Sequence, residues 1–302
     1  MFQIQFYQKL SYGLLDSSIS MSNSIQGVYQ GSFMPLNEIR VSPLSRAYTF
    51  SDSIYEVIPY YSGKPLCLDE HIDRFKVSAD FLKIKLDFSV VRKEIEQLGR
   101  SVENYTNAYV YYQISRGVDS VRSHIVKEKL IPERFGYAGE VTLSTDPIIA
   151  KLNQDNRWAH CNIKTTSLLG NVLNMNDAYD DGCNETILIR DNKIVEGGAC
   201  NIFMTYENEI YTPSLEENIL PGVTREFFIS SLQKKNINVK QVDCPVSFLD
   251  SVSTIWFTSS TRGVQPIKSI LNHGYEIDPN DALFRNAKEA FTNSIKDYFQ
   301  DH

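Results

Sequence analysis

Apolar residues recur along the chain with two distinct periods, and each change of period marks an element. Over 53–61 they alternate as on a half-buried strand, Ser62-Gly63-Lys64-Pro65 supplies turn chemistry, and Leu66-Cys67-Leu68 resumes the extended pattern. The spacing then lengthens: Ile72, Phe75, Ala79 and Leu82 share one helical face, with Asp69 placed to cap the N-terminus. A second helix over about 89–105 carries Val91, Ile95, Leu98 and Val102 on one side, and a long strand follows over 108–116. A shorter strand-like stretch, 27–33, precedes all of these.

The stretch 144–156 is polar and aperiodic and is expected to be a linker. Beyond it the pattern predicts a strand over 162–165, a helix over about 168–182 and hairpin-like strands from 186 to 211. A helix opening at Gly222-Val223-Thr224, a strand over 253–258 and a C-terminal helix over about 281–299 complete the chain. Strands outnumber helices and come in hairpins, so the expected class is α+β. The expected organisation is a smaller domain over 25–143, the linker, and a larger domain over 157–302. Residues 1–24 are rich in Ser and Gln, carry Lys9 as their one lysine, and show neither an apolar export core nor an Arg-rich amphipathic face. They read either as a disordered tail or as an over-long start ahead of Met21.

Composition narrows the classes. At 302 residues, 42% apolar and 22% charged, the chain has ordinary globular usage, and no apolar run approaches the roughly 20 residues that span a bilayer. A soluble protein without a membrane partner is expected. The formal charge of −7 disfavours nucleic acid, which is bound by neutralising phosphates with Lys and Arg. Five scattered cysteines without a C-x-x-C pair fit a reducing, cytoplasmic setting, and no metal site is expected.

Several residues could carry chemistry, each with a blander alternative. Lys164, between Cys161-Asn162-Ile163 and Thr165-Thr166, has a half-buried strand context in which an amine can form a Schiff base; a strand-edge lysine with its head in water is the commoner case. Glu196 is followed by Gly197-Gly198-Ala199-Cys200-Asn201, small residues that let a flat ligand approach the backbone, or simply a hairpin. Gly222-Val223-Thr224 and Ser259-Ser260-Thr261 each offer N–H and hydroxyl donors to a phosphate, as do many ordinary turns and caps. Arg116, Arg122 and His124 surround a short loop suited to holding a carboxylate or to facing solvent. His71 and Arg74 lie one helical turn apart and share a face.

In combination these stretches resemble a known family. Ser45-Arg46-Ala47-Tyr48-Thr49-Phe50-Ser51-Asp52-Ser53-Ile54-Tyr55-Glu56-Val57, followed by Glu70-His71-Ile72-Asp73-Arg74-Phe75, resembles the N-terminal signature of the fold-type IV pyridoxal-phosphate enzymes. Asn162-Ile163-Lys164 with Leu168-Leu169-Gly170-Asn171, and Val195-Glu196-Gly197 with Asn201-Ile202-Phe203, resemble that family's lysine and glutamate stretches. Ile219-Leu220-Pro221-Gly222-Val223-Thr224-Arg225 and Phe257-Thr258-Ser259-Ser260-Thr261 resemble its phosphate-binding stretches. Six separated matches in the family's order, covering roughly 26–290, carry far more weight than any one of them. The resemblance implies a two-domain α+β fold with pyridoxal 5'-phosphate at the domain interface. It implies that Lys164 carries the cofactor as a Schiff base, Glu196 pairs with the pyridine nitrogen, Leu220 packs on the ring, and Arg74, Val223, Thr224, Ser260 and Thr261 hold the phosphate. The substrates implied are a small amino acid and a 2-oxo acid.

Within the family, Tyr55 and the pair Arg122-Ser123-His124 are similar to the carboxylate-holding residues of the D-amino-acid aminotransferases, with the pair delivered across a homodimer into a shared site. D-alanine and 2-oxoglutarate are the substrates this implies. Alternatives on the same cofactor site are a branched-chain L-amino-acid or amine transaminase and an aminodeoxychorismate lyase; a non-catalytic binding protein would not need both Lys164 and Glu196. The chain departs from the D-branch at Ser51 and Ser53, where glycines are usual, at Pro59 for a lysine, at Ser167 for an asparagine, and at Gly198-Ala199-Cys200 for a serine-rich run.

Overall fold

A computed structural model describes residues 25–126 and 129–301, with the side chain of residue 301 left aside. The expectations for 1–24 fall outside the described residues. Strands β1 (Gln26–Tyr29), β2 (Ser32–Pro35), β3 (Ser53–Tyr61), β4 (Lys64–Pro65), β5 (Asn107–Ser115) and β6 (Glu133–Glu140) form one sheet in the order β2-β1-β6-β5-β3-β4. Helices α1 (Arg46–Phe50), α2 (Leu68–Leu82) and α3 (Phe88–Arg100) belong to this part of the chain. The periodicity located α2 and α3 within a few residues. Their apolar rows, Ile72-Phe75-Ala79 and Val91-Ile95-Leu98, are buried against Ile54, Ile58, Val110, Tyr112 and Ile114 of the sheet. The expected strand over 27–33 is the hairpin of β1 and β2, turned by Gln30 and Gly31, both at positive φ. Asp69 is not the N-cap of α2: Cys67, in a left-handed conformation, precedes the first helical residue. Asp69 lies in the first turn instead, where its carboxylate suits the helix dipole, and it bonds Arg92 of α3.

The second sheet has nine strands: β7 (Ile148–Gln154), β8 (Glu185–Arg190), β9 (Lys193–Gly197), β10 (Asn201–Tyr206), β11 (Glu209–Pro213), β12 (Val239–Val242), β13 (Cys244–Pro245), β14 (Thr254–Ser259) and β15 (Gly263–Ile270), ordered β12-β11-β10-β14-β15-β7-β8-β9-β13. Helices α4 (Leu169–Asp180), α5 (Val223–Gln233) and α6 (Ala282–Asp301) belong to this part. Strands β10 and β14 are apolar on both faces because both are covered: Ile202, Met204, Ile255 and Phe257 enter one core, while Phe203 and Trp256 stack with Phe228 of α5 and Phe284 of α6 in another.

Two expectations fail here for a physical reason. The stretch expected to link two domains contains β7, which runs parallel to β15 on one side and β8 on the other. Its polar residues are spent on α4: Lys151 pairs with Asp177 and Asp181, and the Asn153 amide donates to Asp177. Periodicity registers burial, and these side chains meet a polar helix face instead. The segment 162–165 is not a strand either. It runs as irregular backbone along the open edge of β3, where Tyr55 N–H donates to the Lys164 carbonyl at 3.1 Å and Thr166 N–H to that of Ser53 at 3.0 Å. Farther on, α6 returns to the first sheet: the Tyr298 hydroxyl accepts from Cys67 N–H at 3.2 Å.

Phe75 is fully buried, edge-on to Phe88 and Tyr112, at the junction of α2, α3 and β5. Replacing it with alanine is expected to lower unfolding free energy by about 3–5 kcal/mol, the usual cost of an aromatic-sized cavity. Urea denaturation followed by circular dichroism reads this directly, and a loss below about 1 kcal/mol would mean the core collapses around the site.

Candidate active site

Between the two sheets lies a cavity of about 460 Å³. Tyr55 and Val57 reach it from β3, Arg74 from α2, Glu196 and Gly197 from β9, and Leu220 from the loop before α5. Val223 and Thr224 come from the start of α5, and Ser260 and Thr261 from the turn after β14. Strand alternation explains the division of labour on β3: Ile54, Glu56 and Ile58 face the core under α2, so Tyr55 and Val57 face the cavity. Lys164 lies beside them, its Nζ 4.2 Å from the centroid of the Tyr55 ring. Tyr55 in turn stacks on Tyr111, with ring centroids 5.5 Å apart.

Glu196, which lines the same cavity, is buried in a tight polar setting. Its Oε1 accepts from Arg157 Nη1 at 2.5 Å, and its Oε2 accepts from Leu220 N–H at 3.2 Å and from Asn201 Nδ2 at 3.4 Å. Burial pushes its carboxyl above the ordinary value, with the Arg157 charge the main opposing influence. Asp155 holds Arg157 through Nε at 2.9 Å and Nη2 at 2.8 Å, and also accepts from Arg190 at 2.5 Å. Burial alone would raise Asp155, but the bonds and charge of Arg157, aided by Arg190, outweigh it and hold the carboxyl at about 2.

The end of the cavity built by α5 is rich in donors. The first-turn N–H groups of a helix lack intrahelical partners, and Gly222 caps this one. A Cβ on Gly222 would lie 2.0 Å from Asn201 Oδ1, so only glycine lets the cap sit this close. Arg74 spans both layers. Its Nη1 donates to the Pro221 carbonyl at 2.9 Å, while Nε and Nη2 donate to Glu56 at 2.8 and 2.7 Å.

All nine residues expected at the cofactor and on the early strand therefore line one cavity: Tyr55, Arg74, Lys164, Glu196, Leu220, Val223, Thr224, Ser260 and Thr261. Arg122 and His124 do not. Both side chains are exposed and pack on Phe50, the Arg122 guanidinium 4.8 Å and the His124 ring 5.1 Å from its centroid, while Arg46 Nη1 donates to the Ser123 carbonyl at 2.6 Å. Arg116 is not available either, being paired with Asp52 at 2.6 and 2.9 Å. His71 and Arg74, whose bland reading was a surface pair, are inside the protein. Sequence reasoning missed Arg157, which directly follows the stretch 144–156 expected to be a linker. It also missed Glu56, although a carboxylate between Ile54 and Ile58 on a core-facing row was a visible signal.

The departures have local explanations. Ser51 ends α1 at φ 52°, the left-handed conformation for which glycine is the easier residue, so the turn keeps its shape at some cost. Gly198 packs closely where it stands: a Cβ there would meet Met175 Sδ at 2.4 Å and displace that side chain, while its N–H donates to Glu185 at 3.0 Å and its carbonyl accepts from Asn171 at 2.6 Å. Nothing in the structure explains Pro59 or Ser167.

One cavity thus holds an amine, a buried carboxylate and a cluster of N–H and hydroxyl donors. Residues 53–270 match the amino-transferase class IV family, and the chain belongs to it: it is a fold-type IV, pyridoxal-phosphate-dependent aminotransferase. Among its relatives, the D-alanine aminotransferase of Listeria monocytogenes serotype 1/2a (strain 10403S) is 30% identical over 239 residues, 74% of this chain and 80% of that one. The D-alanine aminotransferase of Bacillus licheniformis is 30% identical over 274 residues, 89% of this chain and 96% of that one. In fold it is similar to the branched-chain aminotransferase of the archaeon Thermoproteus uzoniensis, with a TM-score of 0.80 at 20% identity over 90% of this chain and 94% of that one.

The Asp155 network has a pH signature. Asp155 and Glu56 both have carboxyls held at about 2 in the fold, so the stability they contribute is complete above the unfolded value near 4 and is lost as pH falls toward 2. Asp155→Asn is expected to cost about 3–5 kcal/mol at neutral pH, because Arg157 and Arg190 lose a charged partner. It should also flatten the decline of the urea midpoint between pH 5 and pH 3. A variant declining as steeply as the parent would assign the acid sensitivity elsewhere.

Proposed function

We propose that the chain is a D-amino-acid aminotransferase, transferring an amino group from a D-amino acid, D-alanine foremost, to a 2-oxo acid such as 2-oxoglutarate. What supports this reading is Tyr55 on the cavity wall and the presence of the Arg122-Ser123-His124 sequence, in a chain whose relatives include proteins named D-alanine aminotransferases. The donor set fits pyridoxal phosphate: Lys164 matches its aldehyde, the buried Glu196 its pyridine nitrogen, and the α5 end its phosphate. When bound, the cofactor supplies a carbonyl that captures the amino group and a ring that withdraws electrons from Cα.

The protein's part follows from its side chains. Lys164 would hold the cofactor through its amine and, once displaced by the incoming amino group, would take up and return the substrate Cα proton. Glu196, bonded to Arg157, would accept from the protonated pyridine nitrogen and so sustain the ring's pull on electrons. Leu220 packs against the ring, while Arg74, the N–H groups at Val223 and Thr224, and the hydroxyls of Ser260 and Thr261 hold the phosphate. Arg122 and His124 grip the substrate carboxylate and so decide which enantiomer turns its Cα–H toward Lys164. In a single chain these two lie on Phe50, outside the cavity lining, so the reading requires a homodimer in which each chain's loop completes its partner's cavity. The setting proposed is the cytoplasm.

Borohydride reduction of the protein with its cofactor should fix a pyridoxyl group on Lys164, and Lys164→Ala should lower turnover roughly a thousandfold or more. Label on another lysine would defeat the assignment. Glu196→Gln should slow the reaction about a hundredfold, as expected for removing a preorganised charge.

A panel of D- and L-amino acids against 2-oxoglutarate, read by chiral product analysis, tests the substrate class. Turnover of L-leucine alone would favour the branched-chain reading, and pyruvate release from aminodeoxychorismate without a 2-oxo acid the lyase reading. Arg122→Met should raise KM for D-alanine about ten- to a hundredfold. Mixed under subunit exchange, inactive Lys164→Ala dimers and weakly binding Arg122→Met dimers should form hybrids with one site per dimer that works at the parental KM. Exchange without recovered activity would refute the shared site.

A further inference from the structure

Glu56 is out of place by the logic of its strand. Its neighbours on the core-facing row, Ile54 and Ile58, are fully buried, and Glu56 itself is only 1% exposed. A carboxylate there persists only if its charge and lone pairs are fully used. They are: Oε1 accepts from Arg74 Nε at 2.8 Å, and Oε2 accepts from Arg74 Nη2 at 2.7 Å and bonds His71 Nδ1 at 2.8 Å. His71 and Arg74 stand one turn apart on α2, as the sequence spacing places them, and both turn inward to this one group. The His71 Nε2 is buried with no partner, so the imidazole is held by its bond to Glu56 and by packing.

We propose that Glu56 is a positioning residue that locks the Arg74 guanidinium in the pose that grips a phosphate ester, with His71 holding Glu56 in turn. The inference rests on the cofactor reading of the cavity and assigns a new task to residues outside its lining. Arginine carries five N–H donors in a rigid fork on a flexible stem. Two of them bind Glu56 and one the Pro221 carbonyl, which fixes the fork before any ligand arrives and leaves further N–H bonds on Nη1 and Nη2. The rotamer freedom that an unrestrained arginine would lose on gripping an anion has been lost on folding instead. Glu56 also brings a negative charge toward the anion, so geometry and charge oppose one another. A bidentate pair at 2.7–2.8 Å acts on direction at short range. Its charge is already matched by Arg74, so direction prevails.

The test uses protein freed of cofactor, titrated with pyridoxal phosphate, pyridoxal and inorganic phosphate and followed by the fluorescence of Trp158, which lines the cavity. Glu56→Gln turns an amide nitrogen toward Arg74 or His71, donor against donor. It should weaken pyridoxal phosphate and inorganic phosphate about tenfold or more while leaving pyridoxal within about twofold. Glu56→Asp keeps the charge but is too short to meet both arms of the fork, and should lose phosphate affinity as well; it also decides the matter if the Gln variant does not fold. Equal losses for pyridoxal and its phosphate would mean a structural role only. Unchanged or tighter phosphate binding in both variants would show that Glu56 acts through charge or not at all. If the parent protein binds neither phosphate ligand, the reading of the cavity fails, which is a result distinct from a parent that binds and variants that match it.

Discussion

The bonds that fasten the Lys164 segment to the open edge of β3 are the constraint on which the site depends. Tyr55 N–H to the Lys164 carbonyl and Thr166 N–H to the Ser53 carbonyl extend the first sheet by a few residues of chain that lead into the second. β4 pairs only with the far end of β3, at Tyr60 and Tyr61, so the edge beside Ser53 to Tyr55 is free to accept this irregular segment. The lysine is thereby registered against the tyrosine on the same strand, and the cavity between the sheets inherits its width from that registration.

Around the cavity the protein repeatedly buries a carboxylate beside an arginine: Glu56 with Arg74, Glu196 with Arg157, Asp155 with Arg157 and Arg190, Glu185 with Arg262. Such pairs gain little net stability, because desolvation cancels much of the attraction. Their value is directional. Each fixes a long side chain that would otherwise sample many rotamers, and all but Asp155–Arg157 join separate elements: β3 to α2, the segment after β7 to β8 and β9, and β8 to the turn after β14. The cavity walls are therefore set by geometry that an apolar core could not specify so narrowly.

Much of this was legible in the sequence because it is local. Alternation gave β3 and helical spacing gave α2 and α3, since their buried rows are apolar and uninterrupted. Arg74, Lys164 and Glu196 could be picked out as candidates, but only the ordered set of family motifs added Tyr55 and tied them together, because their convergence depends on tertiary contacts that no spacing records. Two failures share one cause. Lys151 of β7 and Arg157 just beyond it are polar residues satisfied by other polar residues far along the chain, Lys151 by Asp177 and Arg157 by Glu196, and a reading built on hydrophobic period takes such stretches for loops. The 162–165 segment failed in the opposite sense: its residues look like a strand, yet it has a sheet edge beside it only at Ile54, Tyr55 and Ser53.

The return of α6 to the first sheet bears on how the molecule is made. Tyr298 bonds the backbone at Cys67, and Tyr298 and Phe299 pack with Leu66, Cys67 and Val223, near the very end of the chain. During synthesis these residues emerge after every residue that lines the cavity. The first sheet can collapse on its own helices while the rest is translated. The seam at Cys67, where α2 begins, is closed only when α6 arrives. Until then Leu66 and Val223 lack the cover of Tyr298 and Phe299, and the pace of the ribosome sets how long that lasts.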